Sequence, residues 1–127
     1  KTTNRYFNYI YVRMGAHTLI HKRTEDDIWK NLFELPLVET EKDLSEEEFL
    51  ACPQFHALFA EGEVRMVRIL LRGVKHVLSH RVIYTNFYEV TLPDNSSSFS
   101  SYQRVAVEDL GRYAVPRLIH AFLEKYV

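Results

Sequence analysis

The side chains that could do chemistry fall into three groups, and none closes into a complete active site. Glu46, Glu47 and Glu48 are adjacent, with Glu34 and Glu39 upstream. Carboxylates paired on a helix can hold Mg²⁺. Ser45, three positions before Glu48, also has the spacing of an N-cap with a capping box, which assigns these glutamates to capping and solubility. The second group is two histidine pairs, His17/His21 and His76/His80. That spacing chelates zinc on a helix. Both pairs lie in stretches that read as strand or loop, where four residues span about 13 Å, too far for one ion. A bend could still bring His76 and His80 together. The third group is Ser79 beside His80. Triad partners meet across a fold rather than side by side, and there is no Gly-x-Ser-x-Gly elbow. Nor does a chain with four glycines contain a Gly-rich phosphate loop.

The elements that must position these residues follow from pattern. Arg5 to Met14 reads as a strand, with Tyr6, Ile10 and Val12 on one face and Phe7, Tyr9 and Tyr11 on the other, so both faces are covered. Gly15-Ala16 gives a turn, and His17 to Lys22 returns as the second strand of a hairpin. Thr24 to Asp27 is a polar loop, and Leu32 to Val38 is extended, interrupted at Pro36. A short helix runs from Ser45 to about Ala51, and Pro53 starts another turn or two with Phe55, Leu58 and Phe59 on one face. Val64 to Leu71 and Arg81 to Leu92 are strands flanking the segment 73–80. Pro93 to Ser101 reads as a mobile loop. Gln103 to Val107 is a last strand, and Glu108 to Tyr113 a helical turn. Pro116 sits in the first turn of a final helix whose apolar face is Leu118, Ile119, Phe122, Leu123 and Tyr126. Segregated strands and helices of this order predict one α+β domain over residues 1–127 with a mixed or antiparallel sheet.

Composition narrows the function classes. Hydrophobic residues make up 46%, enough for an ordinary core, and no apolar run reaches the length of a membrane span. The lone Cys52 cannot hold zinc or an iron–sulfur cluster by itself, and a reducing cytoplasmic setting is expected. The chain starts at Lys1 without a methionine or signal peptide, so a larger parent protein is expected. A net charge of −1 gives no general support for nucleic-acid binding. Local charge is uneven, however. Residues 25–48 carry ten acidic and two basic side chains (Lys30, Lys42), whereas residues 65–88 carry five basic ones (Arg65, Arg68, Arg72, Lys75, Arg81) and no acidic one. Such runs are commonly solvated faces. A basic one can also track a phosphate backbone.

The basic segment ends in Lys75-His76-Val77-Leu78-Ser79-His80, which resembles the H-x-F-S-H loop in the C-terminal domain of the MutY family of adenine DNA glycosylases. Three further segments agree in order. Arg5-Tyr6-Phe7-Asn8-Tyr9 resembles that domain's opening strand, and residues 27–36, from Asp27 through Trp29 to Pro36, resemble its W-x-G-L-x-E-F-P segment. Tyr113-Ala114-Val115-Pro116-Arg117-Leu118-Ile119 is similar to the start of its closing helix. Leu78 stands where the family has Phe, and Asn31 where it has Gly. The resemblance implies a Nudix-like α+β fold, a mixed sheet packed with helices. Nudix hydrolases hold Mg²⁺ with a glycine-led box ending in R-E-x-x-E-E. Here the matching stretches read Leu35-Pro36-Leu37-Val38-Glu39 and Ser45-Glu46-Glu47-Glu48-Phe49, without the glycines and without the Arg-Glu pair.

The resemblance further implies a domain that reads 8-oxoguanine opposite the adenine to be removed and has no catalytic residues, metal or cofactor of its own. The family's catalytic carboxylates and four-cysteine iron–sulfur cluster lie in an N-terminal helical domain, here a partner, alongside double-stranded DNA with an 8-oxoguanine:adenine pair. A bacterial, nucleoid-associated location follows. Ser79 is then the lesion reader, since oxidation at C8 turns N7 from acceptor to donor and adds a carbonyl, and a hydroxyl can answer both. Leu78 is a packing wedge, His80 a phosphate or base-edge partner beside His76, and Lys75, Arg81 and Arg72 hold the backbone. Two alternatives stay open: a Nudix-type hydrolase of nucleoside diphosphate derivatives using Glu47 or Glu48, and a protein-interaction domain using Tyr6, Tyr9 and Tyr11 or the acidic segment.

Overall fold

The computed structural model describes residues 2–127. The centre is a four-stranded mixed sheet in the order β4-β1-β6-β5. Its strands are β1 (Thr3–Arg13), β4 (Leu37–Thr40), β5 (Met66–Val77) and β6 (Arg81–Thr91). β1 runs parallel to β6 over its whole length, while β4 and β5 pair antiparallel at the two edges. A second, three-stranded sheet has the order β3-β2-β7, from β2 (His17–Lys22), β3 (Phe33–Glu34) and β7 (Gln103–Ala106). The helices are α1 (Glu46–Ala51), α2 (Pro53–His56) and α3 (Arg117–Tyr126), with a 3₁₀ turn over Val107–Arg112. This is the mixed α+β architecture that the element pattern predicts. Among the described residues, no helix is long and apolar enough to cross a membrane.

Two cores flank the central sheet, as the doubly apolar β1 requires. One gathers Phe7, Tyr9, Tyr11, Ile83 and Phe87 with Ile20, Val105 and the apolar stripe of α3. Phe122 stacks on Phe87 at 4.1 Å between ring centres, and its truncation to Ala would cost about 3–5 kcal/mol. The other joins Ile10, Val12, Tyr88 and Val90 to Phe49 of α1, Phe55 of α2 and Leu19. Ser45 caps α1 as predicted: its hydroxyl accepts from the Glu48 N–H, and Glu48 accepts from the Ser45 N–H.

Several expectations need correction. The turn at Gly15 is real: its φ is +61°, and a Cβ there would meet the Asp94 carboxylate at 2.7 Å. But β1 and β2 share only the bridge Met14–His17 and then part into different sheets. β6 occupies one edge of β1 along its whole length and β4 the other over residues 6–9, so a long hairpin ladder with β2 has no free edge to extend along. β5 does not stop at Leu71. It continues to Val77 through a register shift, with Gly73 at φ +68° and its N–H donated to the Asn86 side chain at 2.8 Å. The loop 93–101 is anchored rather than loose. Glu63 accepts from the Ser96 hydroxyl and from the N–H and hydroxyl of both Ser97 and Ser98. Those donors hold its carboxyl down at about 2. Pro116 is the N-cap of α3 rather than a residue of its first turn.

Candidate nucleic-acid interface

β5 and β6 end together in a tight hairpin. Val77 pairs with Val82, and the Leu78 N–H donates to the Arg81 carbonyl at 2.8 Å, leaving Ser79 and His80 as the exposed two-residue tip. The tip is fastened at its base, because the His80 carbonyl accepts from the Thr3 N–H at 3.0 Å. Strand alternation sorts the neighbouring side chains by face. His76 and Leu78 point inward: Leu78 packs against the core, and His76 lies 6.0 Å from the Trp29 ring, edge to face. Lys75 and Val77 lie on the other face with Ser79 next in line, and Val77 is 66% exposed. The aliphatic side chain that stands free beside the tip is therefore Val77, while Leu78 is half-buried. Neither Trp29 nor Val77 was assigned to the site from the sequence, although the alternation from Lys75 to Ser79 separates Val77 from Leu78.

The five basic residues of the segment divide sharply. Arg65 donates to the Gly62 and Glu63 carbonyls, and Arg68 to the buried Glu89 carboxylate. Arg72 is tied to the Asp43 carboxylate at 3.1 Å and to the Leu44 carbonyl. Lys75 and Arg81 alone have no hydrogen-bonding or ion-pair partner among the described residues. Both flank the tip. Six of the seven expected site residues thus gather at one end of the hairpin, and Arg72 sits apart from them.

Arg72 belongs to a polar cluster instead. Asp43 also accepts from Asn86, which donates to Asn8 in turn, and Asn8 donates to the Val38 carbonyl and the Thr40 hydroxyl. Asn8 and Asn86 are paired in the β1–β6 register and are both buried. This satisfies the buried amides and anchors the approach to α1.

A second ionic cluster supports the Trp29 loop. Glu34, 2% exposed, accepts from the Tyr9 hydroxyl at 2.6 Å, and its two oxygens accept from Arg23 Nη1 at 3.0 and 3.1 Å. His21 Nε2 lies 2.9 Å from the same carboxylate, off the axis of a good hydrogen bond. Arg23 continues to Asp27, which takes both Arg5 nitrogens, and Arg5 reaches Glu39. The Arg5 guanidinium is the main reason the Asp27 carboxyl falls to about 2. Burial, then Glu34, pushes the Tyr9 phenol well above its usual range. Trp29 and Asn31 occupy left-handed backbone at φ 59° and 72°. Asn tolerates that region where the resembling segment has Gly, so the turn survives the exchange.

The carboxylates and histidines singled out in the sequence are not gathered around a common point: among the described residues, no three His, Cys, Asp or Glu side chains come together. Glu46 and Glu47 are exposed on the first turn of α1, and the Glu48 carboxylate is committed to the capping box. His76 lies near the end of β5 and is turned inward against Trp29, while His80 lies in the exposed turn that follows.

Residues 8–125 match the model of the NUDIX domain family, and the chain belongs to that family. Solved structures agree on the fold. The C-terminal domain of mouse MUTYH, solved in complex with human PCNA, superposes with a TM-score of 0.71 at 15% identity, over 96% of this chain and 86% of that one. A MutT from Aliivibrio salmonicida or Vibrio cholerae gives 0.63 at 15% identity, over 96% and 95%. The MutT protein of Methanosarcina mazei Go1 gives 0.61 at 17%, over 98% and 94%. No curated protein sequence matches the chain.

Proposed function

We propose that this Nudix domain is the lesion-reading part of an adenine DNA glycosylase, recognising 8-oxoguanine opposite adenine in double-stranded DNA. One observation carries the reading: the tip Ser79-His80 protrudes between Lys75 and Arg81, the two cations of the basic segment that have no partner among the described residues. A hydroxyl at such a tip can accept from the N7–H that guanine lacks, while the cations hold phosphates on either side. Val77 replaces Leu78 as the exposed aliphatic contact, and His80 meets a phosphate or base edge. Adenine excision, with the catalytic carboxylates and iron–sulfur cluster, belongs to a separate N-terminal domain. The chain itself supplies discrimination and no catalysis.

The test compares binding of this chain to duplexes holding 8-oxoguanine:adenine and guanine:adenine. Wild type favours the lesion, and Ser79→Ala narrows that preference by about tenfold, the scale of one specific base contact. Equal preference before and after the change sinks the Ser79 role. Mg²⁺-dependent hydrolysis of nucleoside diphosphate derivatives, abolished by Glu47→Gln, would overturn the whole reading in favour of a Nudix hydrolase.

A further inference from the structure

The central sheet carries a second surface beside the hairpin tip. On the face that α1 and α2 cover elsewhere, the strand registers align Thr40, Tyr6, Tyr84 and Lys75 in one row across β4, β1, β6 and β5. The next row toward the tip is Asn4, Val82 and Val77. Tyr6 and Tyr84 stack with ring centres 5.6 Å apart and planes 16° apart. Both are half-buried, yet they and the two valines belong to neither core. Neither phenol makes a hydrogen bond among the described residues. Beyond Tyr6 opens a cleft of about 1110 Å³ lined by Asn4, Arg5, Glu39, Thr40, Glu41, Lys42, Leu44 and Gln54.

Charge decides what this surface can take. The cleft lining holds two cations, Arg5 and Lys42, against two carboxylates, Glu39 and Glu41, and is neutral in sum. It suits an uncharged group with hydrogen-bonding edges, such as those Asn4, Thr40 and Gln54 would meet. The opposite end of the tyrosine row is the free cation Lys75. A flat, uncharged base beside a phosphate one step away has this pattern, and aromatic side chains on an open sheet face are a known way to stack unpaired bases.

We propose that Tyr6 and Tyr84 form a stacking platform for an unpaired stretch of DNA strand, its bases over the rings and its backbone toward Lys75. The inference rests on the chain acting on DNA; it shares the phosphate contact Lys75 with lesion reading, but its stacking residues Tyr6 and Tyr84 are separate from the tip. The probe is a short labelled oligothymidine, followed by fluorescence anisotropy with this chain. Tyr84→Leu keeps apolar bulk on the strand and weakens binding about tenfold, the scale of one lost stack, while Tyr84→Phe restores it. Tyr6→Ala weakens binding likewise. All three leave the preference for 8-oxoguanine:adenine duplex over guanine:adenine unchanged, whereas Ser79→Ala alters that preference and leaves oligothymidine binding intact. A wild-type chain that does not bind oligothymidine, or a Tyr84→Leu chain that binds it as well, overturns the platform. So does a change in self-association in place of a change in DNA binding, which would assign the face to a second copy of the chain.

Discussion

Two charged regions of this domain contrast. In the cluster Arg5, Arg23, Asp27, Glu34 and Glu39 every charge has a partner within 3.1 Å, and Glu34 is almost fully enclosed. At the hairpin tip, Lys75 and Arg81 have none among the described residues. The first arrangement holds a loop; the second is available to something outside the molecule. Counting charges along the chain would give the tip no privilege. Counting partners does.

The contrast predicts opposite responses to substitution, and the largest lies in the ionic cluster. Glu34→Ala leaves Arg23, whose side chain is 10% exposed, without its buried counter-charge and strips the Tyr9 hydroxyl of its acceptor. Removing one partner of a buried pair costs about 3–5 kcal/mol. Urea unfolding should show that loss. Lesion preference, measured where the variant stays folded, should be unchanged. A stability loss below about 1 kcal/mol, the scale of an exposed pair, would contradict the enclosed geometry.

Acid should reach the same cluster through Asp27. Its carboxyl is lowered from an ordinary 3.8 to about 2, chiefly by Arg5. A carboxylate with a depressed folded value binds its proton more readily in the unfolded chain. Its stabilising contribution is therefore complete above the ordinary value and is lost as pH falls through the folded one. Wild type should exceed Asp27→Asn in urea stability at neutral pH, and the gap should close between about pH 4 and pH 2. A gap that stays constant across that window would remove Asp27 from the ionic account.

How much of this was readable beforehand depended on distance along the chain. The α1 cap was legible because Ser45 and Glu48 are three apart and obey a local rule. The α3 stripe was legible for the same reason. The tip Leu78-Ser79-His80 and its two cations were also visible, as a short contiguous run. Glu34 was visible only as a carboxylate, since its partners Tyr9 and Arg23 lie in β1 and just past the end of β2. The β1–β2 hairpin failed because a turn signal states how a chain reverses, not whether a strand's edge is free. Arg72 was legible only in part: its charge was plain, but Asp43, which pairs with it, is 29 residues away.

Arg72 and Lys75 therefore give the finest cut between partnered and free charge. They are three residues apart on one strand, and composition makes them equals. A free cation that contacts a phosphate releases a counterion when DNA binds. Lys75→Ala should weaken binding to lesion and undamaged duplexes equally, and should lower the slope of log affinity against log salt by about 1. Arg72 has already exchanged its solvent for Asp43 and the Leu44 carbonyl. Arg72→Ala should leave that slope unchanged and act, if at all, on stability, by the few tenths to about 1 kcal/mol of a solvent-exposed pair. Equal slopes for the two variants would mean that Arg72 leaves Asp43 on binding, and the basic segment would then engage DNA along its length rather than at its tip.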